Sequence, residues 1–384
     1  MNITIHRGTH QIGGCATEIQ TDTTRIFIDF GAELDTETAS PLAIDGVTDG
    51  VTRCNGIFFT HYHGDHIGLL NTIHPDIPLY MGKDSKEILR RLNKRTKQYP
   101  ADRLDAVRTY EAPRKVIIGD IAVTPLFVDH SAYDAHMFLI EADGKRVLHT
   151  GDFRGHGFRG KGLLPTLTKY VGKVNALICE GTTLGRPGHL SISEQELQKQ
   201  IHAVLKENKY VFVLCSSTNF DRIASVCAAV PDGKYCICDQ YQYDMIQYLR
   251  QSAGMKSSLY QCKKILSYGR NLDAGMTKHG FCMFVRSGNS SHRRIMERFP
   301  DAVVIYSMWK GYLEQPQMQA FLEGYSRIDL HTSGHADGST IRTVIDTIDP
   351  GCIIPMHTER PDGFLALSDG RKILFAQDGV PVTL

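Results

Sequence analysis

No stretch of this chain approaches the ~20 consecutive apolar residues that a membrane span requires. The opening residues, Met1 to Arg7, lack the apolar core of a secretory signal. These absences lead us to expect a soluble, unexported, cytoplasmic protein with no membrane partner. Net charge is also scarce: 43 Lys/Arg against 42 Asp/Glu leave +1. The cysteines lack the paired spacing of a structural zinc module. Of ten, only Cys236 and Cys238 are close together, and a C-x-C without a second pair does not make a zinc ribbon. Several lie in apolar runs such as Leu177-Ile178-Cys179 and Phe212-Val213-Leu214-Cys215, the pattern of reduced, buried thiols. There is no internal repeat and no low-complexity segment.

What is present is enough apolar material for a packed core. The 384 residues are 42% hydrophobic and 22% charged, which suits two domains or one domain with a large insertion. Charge is unevenly spread. Lys83 to Lys115 holds eleven Lys/Arg and five Asp/Glu, and Phe153 to Ile178 holds five Lys/Arg and no acid. A polyanionic ligand would account for this, as would a solvated face balanced by acids elsewhere.

The first part reads as short strands: Ile3–Ile5, Thr17–Ile19, Arg25–Asp29 and Gly56–Thr60, with turns at Gly13-Gly14 and Thr21–Thr24. Asp84 to Gln98 has helical periodicity. Strands follow at Val116–Ile118, Ile121–Phe127, Met137–Glu141, Arg146–His149 and Asn175–Cys179, with Gly144 turning a hairpin. After Gly185-Arg186-Pro187-Gly188 the texture changes. Ser193 and Glu196 form a capping box for a helix to Leu205, and strands and helices then alternate to about Tyr325. This predicts a parallel α/β unit. Strands and metal-type residues return at Arg327–His331, Cys352–His357 and Lys372–Phe375.

The sharpest chemical signal is Thr60-His61-Tyr62-His63-Gly64-Asp65-His66. Four metal-capable side chains follow an apolar strand directly, and imidazole with carboxylate suits zinc or manganese. His61 and His63, two apart in extended chain, point to the same side. Gly64 and Gly68 fit a loop that bends tightly. One cluster cannot fill two metal shells, but His130, Asp152 and His357 each stand just after a strand and supply the remainder.

These residues resemble the H-x-H-x-D-H signature of the metallo-β-lactamase superfamily. Asp29 in Phe27-Ile28-Asp29-Phe30-Gly31, His130 in Val128-Asp129-His130-Ser131 and Asp152 in Thr150-Gly151-Asp152-Phe153-Arg154 resemble its other motifs. Glu180 in Cys179-Glu180-Gly181-Thr182-Thr183, His335 in Thr332-Ser333-Gly334-His335-Ala336 and His357 in Pro355-Met356-His357-Thr358-Glu359 are similar to motifs A, B and C of the β-CASP nucleases. Cys215 to Ile223 is similar to the serine–asparagine loop of the ribonuclease J family.

The resemblance implies an α/β fold: an αββα metallo-β-lactamase body (1–189 and 326–384) with a parallel α/β β-CASP domain inserted at 190–325. It implies two cations, Zn²⁺ or Mn²⁺. His61, His63 and His130 would hold one. Asp65, His66 and His357 would hold the other. Asp152 would lie between them, with Asp29 orienting the cluster from outside. Asp65, Glu180 and His335 would be catalytic, His335 as the histidine of near-neutral pKa that protonates the leaving 3′-oxygen. Ser217, His331 and Ser333 would bind a phosphate of the substrate.

The expected activity is hydrolysis of RNA phosphodiester bonds, as a 5′-exonuclease and/or endonuclease. A DNA nuclease and a small-molecule hydrolase of the same superfamily are the alternatives. A scaffold that binds RNA without cleaving it is disfavoured because every ligand position is filled. In the β-CASP group a histidine at motif C goes with RNA, so His357 favours RNA as substrate and partner. Two departures from ribonuclease J, the Tyr306–Tyr312 segment and a chain length without room for a further C-terminal domain, lead us to expect a different substrate path.

Overall fold

The structure, a computed structural model, describes residues 1–34, 41–186, 191–254 and 258–384. Pro187 and Gly188 of the expected turn lie outside the described residues. The chain divides into two compact units. The first comprises Met1–Gly155, Arg159–Leu190 and Gly334–Leu384; the second comprises His156–Phe158 and Ser191–Ser333.

The first unit holds two seven-stranded sheets. One runs in the order Val382–Thr383, Asn2–Arg7, Ala16–Gln20, Arg25–Ile28, Gly56–Phe58, Leu79–Gly82, Arg108–Tyr110. The other runs Lys372–Ile373, Cys352–Met356, Ala176–Glu180, Lys145–His149, His136–Ala142, Ile121–Phe127, Val116–Ile118. Strand alternation builds the layers. Ile3, Ile5, Ile26, Ile28 and Phe58 of the first sheet share one core with Val123, Ile140, Val147, Ile178 and Ile354 of the second. The intervening residues Leu139, Leu148, Leu177 and Ile353 face the opposite way, onto Leu163, Leu167, Ile341, Val344 and Ile345 of the covering helices. The second sheet is therefore buried on both faces, which is why its strands read as continuous apolar runs.

The helix Lys83–Thr96 carries much of the basic excess seen in the sequence. Arg90 pairs with Glu87 and Asp105, and Arg91 with Glu87. In the second basic stretch Arg154 is buried against Asp129 and Lys173 pairs with Asp349. Acids within the first run thus pair Arg90 and Arg91, and acids outside the second run pair Arg154 and Lys173.

The start of that helix is capped from a distance. Asp134, in a left-handed conformation at φ 62°, accepts the Ser85 N–H at 2.9 Å. Burial pushes its carboxyl up to about 7. An unfolded chain ionises aspartate near ~3.9, so this ionisation favours unfolding. The penalty is absent at low pH, grows as pH rises above the unfolded value and levels off above the folded one. Asp134→Asn keeps an acceptor for Ser85 and carries no charge. Thermal melts should show it stabilised at pH 8 relative to the parent, with little difference at pH 4; equal shifts at both pH values would contradict this.

The second unit is built on a six-stranded, wholly parallel sheet in the order Ile265–Ser267, Tyr235–Cys238, Phe281–Val285, Tyr210–Leu214, Val303–Tyr306, Ser326–Asp329. The helix Glu194–Glu207 begins at Ser193, whose side chain accepts from Glu196 N as the capping box requires. The last strand, Ser326–Asp329, pairs with Val303–Tyr306 and not with the first unit. The second unit runs to Ser333. Only one residue of Ser326-Arg327-Ile328-Asp329 is apolar, so periodicity could not assign that strand to a sheet. Among the described residues no helix is long and apolar enough to cross a membrane.

Candidate metal centre

The candidate residues gather because strands of the first unit end at one edge. Asp29 follows Arg25–Ile28, His61 follows Gly56–Phe58, His130 follows Ile121–Phe127, Asp152 follows Lys145–His149, Glu180 ends Ala176–Glu180 and His357 follows Cys352–Met356. Two of these residues, Asp29 at φ 61° and His357 at φ 51°, adopt left-handed backbone that ordinary side chains avoid. Such strain persists only where the surroundings enforce it. Gly31 is required by close approach, since a Cβ there would meet Asp65 O at 1.7 Å. Gly64, which the sequence suggested for a tight bend, has open space around it, whereas Gly68 would meet Gly64 O at 2.3 Å.

Two groups of donor atoms form. His61, His63 and His130 lie within 4.8 Å of one another, as do Asp65, His66, Asp152 and His357. Asp152 connects them: its Oδ2 is 3.1 Å from His66 Nε2 and 4.0 Å from Nε2 of both His61 and His130. A third group brings Glu180 and His335 to Asp152 and His357.

Hydrogen bonds on the outer ring nitrogens decide which nitrogen faces inward. His66 Nδ1 donates to Asp29 Oδ2 at 2.8 Å. His130 Nδ1 donates to Gly334 O at 2.6 Å. Thr60 Oγ1 gives its proton to Asp29 and so accepts from His61 Nδ1 at 3.0 Å. Thr182 Oγ1 gives its proton to Glu180 and accepts from His357 Nδ1 at 2.7 Å. Each of these four rings therefore directs Nε2 into the centre. His63 presents Nδ1 instead, 3.3 Å from His130 Nε2.

The electrostatics suit a cation. Burial, with the neighbouring rings of His66, His63 and His130, holds His61 well below the usual histidine range. Burial likewise brings His63 down to about 4 and lowers His130. These imidazoles are neutral, with lone pairs available. Burial disfavours the Asp65 and Asp152 carboxylates, but imidazolium neighbours more than offset it and hold both below the usual carboxylate range. On His66, burial opposes charge, yet Asp152, Asp65 and Asp29 outweigh it and raise the ring well above its ordinary value. A proton there occupies a place a divalent cation could take. Two further atoms mark the fit: buried His61 Nε2 and Asp152 Oδ1 have no hydrogen-bond partner among the described residues.

His335 stands differently. Its Nδ1 lies 3.1 Å from Glu180 Oε2 and 3.6 Å from Asp152 Oδ2, and its side chain is 21% exposed. Burial lowers its pKa, but Glu180 and Asp152 overcome this and push it up to about 9. The near-neutral value expected from the sequence is corrected upward by these two carboxylates.

The expected phosphate residues belong to the second unit. Ser217 Oγ is buried without a hydrogen-bond partner among the described residues. His331 Nδ1 accepts from Arg222 Nη1 at 3.2 Å, and Ser333 O accepts from His156 Nε2 at 2.8 Å. Arg222 itself is fully buried against Glu194. Sequence reasoning missed Thr60, Thr182, Asp129, Arg154, Glu194 and Arg222. All but Glu194 lie within the motif segments, which was the available signal.

Residues 24–213 match the family described as a β-lactamase superfamily domain. A solved structure of a protein of unknown function from Enterococcus faecalis V583 superposes with a TM-score of 0.81 at 20% identity, covering 100% of this chain and 99% of that one. With its two-sheet fold and histidine–aspartate edge, the chain is similar over residues 24–213 to the metallo-β-lactamase superfamily. It is also similar to ribonuclease J. Identity is 24% to the Corynebacterium glutamicum protein (88% of this chain, 51% of that one) and 21% to that of Mycoplasma pneumoniae (92% and 67%). It is 26% to a ribonuclease J-like protein of Methanocaldococcus jannaschii over 53% of this chain and 47% of that one. The chain spans about half the length of the Corynebacterium relative and two thirds of the Mycoplasma one.

Proposed function

We propose that this chain is a two-metal ribonuclease of the β-CASP type that hydrolyses RNA phosphodiester bonds. The observation that carries the reading is the convergence of His61, His63 and His130 beside Asp65, His66 and His357, with Asp152 between the two sets. The first three would hold one cation, the second three the other, and Zn²⁺ or Mn²⁺ suits the donors. When bound, such a pair lowers the pKa of water and neutralises phosphate charge.

The chain's own residues do the rest. Asp29 and Thr60 keep His66 and His61 in the ligating tautomer, and Thr182 does so for His357. Glu180 holds His335 in its acid form beside the centre. His335 would deliver its Nδ1 or Nε2 proton to the leaving 3′-oxygen, the step at which an RNA chain parts. Ser217, His331 and Ser333 would bind a phosphate of the substrate. RNA is favoured over DNA by His357 at motif C and by the relatives' names, which refer to RNA cleavage.

The test is direct. End-labelled RNA and its DNA analogue are incubated with the protein and Mn²⁺ or Zn²⁺, and RNA is expected to be cut at least tenfold faster. Comparable cutting of DNA would make the chain a general nuclease of this group. Failure on both, with hydrolysis of a lactone or thioester, would make it a small-molecule hydrolase.

For the mode of attack, we expect 5′-monophosphorylated RNA to be degraded to mononucleotides and 5′-triphosphorylated RNA to be spared, because the Ser333-Gly334-His335 element is intact. Equal rates on both, with fragments of mixed length, would establish internal cleavage.

A further inference from the structure

The segment Tyr306–Tyr312, which departs from the ribonuclease J pattern, takes no part in the metal centre. It leaves the strand Val303–Tyr306 of the second unit at its C-terminal end. The neighbouring strand, Tyr210–Leu214, is parallel to it and runs out toward Ser217. From Tyr210–Leu214 the chain continues to Tyr235–Cys238 on one side of this pair. From Val303–Tyr306 it continues to Ser326–Asp329 on the other. Such a reversal opens a crevice beyond the carboxyl ends of the two strands, which is where parallel α/β sheets bind ligands. Polar groups meet there: Ser307 N donates to Leu214 O at 2.9 Å, and Arg222 Nη1 donates to Ser307 Oγ and, at 3.2 Å, to His331 Nδ1.

Two residues beyond Ser307 stands Trp309, the single tryptophan of the chain. It is 40% exposed, although an indole is ordinarily well buried. Its setting is built, not loose. Tyr306 Oη donates to Trp309 O at 2.6 Å, and Tyr312 N donates to the same oxygen at 3.3 Å. The Tyr312 ring meets the indole edge-on, with centroids 5.4 Å apart and planes at 86°. Gly311 leaves the indole its room, since a Cβ there would come within 2.2 Å of the ring. An aromatic surface held in this way loses little freedom when a flat partner lands on it.

We propose that Trp309 is a stacking platform for an unpaired base of the RNA substrate, so that the strand gives a base to the indole and a backbone phosphate to Ser217 and His331. The proposal rests on the ribonuclease reading above and adds a hold on the base. Every base has a π-face, so the platform favours single strands over duplex without choosing a sequence. The contact is the same before and during bond cleavage, so it acts on KM more than on kcat.

The single tryptophan serves as its own probe. The full chain is stripped of metal with chelator, so that RNA is held but not cut. Tryptophan emission, excited beyond the tyrosine band, is followed as a 5′-phosphorylated oligoadenylate is added, and then its fully abasic counterpart of equal charge. Binding of each is measured separately by the anisotropy of an end label. We expect the oligoadenylate to quench the indole saturably and the abasic strand to leave it unchanged. Trp309→Ala should weaken oligoadenylate binding, and with metal restored raise KM for the same RNA, roughly five- to 150-fold, the worth of one stacked base. Trp309→Phe should recover most of this. RNA bound without quenching, equal quenching by the abasic strand, or an unchanged KM in Trp309→Ala would overturn the platform and leave the ribonuclease reading standing. RNA neither bound nor, once metal is restored, cut would remove that reading and the platform with it.

Discussion

Asp152→Ala is expected to lower turnover roughly a thousandfold or more and to release bound cations from the centre. The reason is its position. One carboxylate oxygen lies 3.1 Å from His66 Nε2 and 4.0 Å from the inward nitrogens of His61 and His130, and the other is 3.8 Å from His357 Nδ1. Its carboxylate thus reaches both donor sets. Cations that stabilise developing charge contribute several kcal/mol, and each ~1.4 kcal/mol is a factor of ten in rate. The measurement pairs elemental analysis with turnover. The parent should hold two ions per chain after metal reconstitution and the variant fewer. A variant that retains two ions and most of its activity would show that Asp152 is a neighbour of the centre and not part of it.

His335→Ala should separate chemistry from metal binding. The ring touches Glu180 and Asp152 but has its own opening to solvent, at 21% exposure. A proton held by those carboxylates can be passed only to something that arrives beside it, so the loss belongs to the transition state. General acid catalysis typically contributes ~10²–10⁴-fold, and kcat should fall by that much with KM and metal content nearly unchanged. Because His335 also lies within 4.8 Å of Asp152 and His357 donor atoms, the contrary outcome is concrete: loss of an ion in this variant would make His335 a ligand. Glu180→Gln should reduce kcat as well, while leaving His335 in place.

Much of the site was legible in residue type and spacing. Chelation needs imidazole and carboxylate at short intervals in extended chain, and His61-Tyr62-His63-Gly64-Asp65-His66 meets that need in six letters. The strand-end positions of Asp29, His130, Asp152 and His357 were legible too, because each closes an apolar run. The fold class followed from the same runs and from the later strand–helix alternation. Less was legible where a partner is remote in sequence. Thr60 and Thr182 are ordinary threonines until Asp29 and Glu180 take their protons. Asp134 caps a helix that starts some fifty residues earlier, and nothing local announces it. The basic run at Lys83–Lys115 read either as a polyanion surface or as a solvated face, and the pairing of Arg90 and Arg91 with Glu87 and Asp105 emerges only in the structure.

The sequence by itself determined which atoms could bind a cation and that strands would carry them to loop positions, since donor chemistry and apolar periodicity are local properties. Tertiary structure alone decided how those atoms are used. It set the inward nitrogen of each histidine through hydrogen bonds from distant residues. It raised His335 to about 9 by placing two carboxylates beside it. Each of these depends on distances between residues far apart in the chain, and such distances come into being only when the two sheets close on their common core.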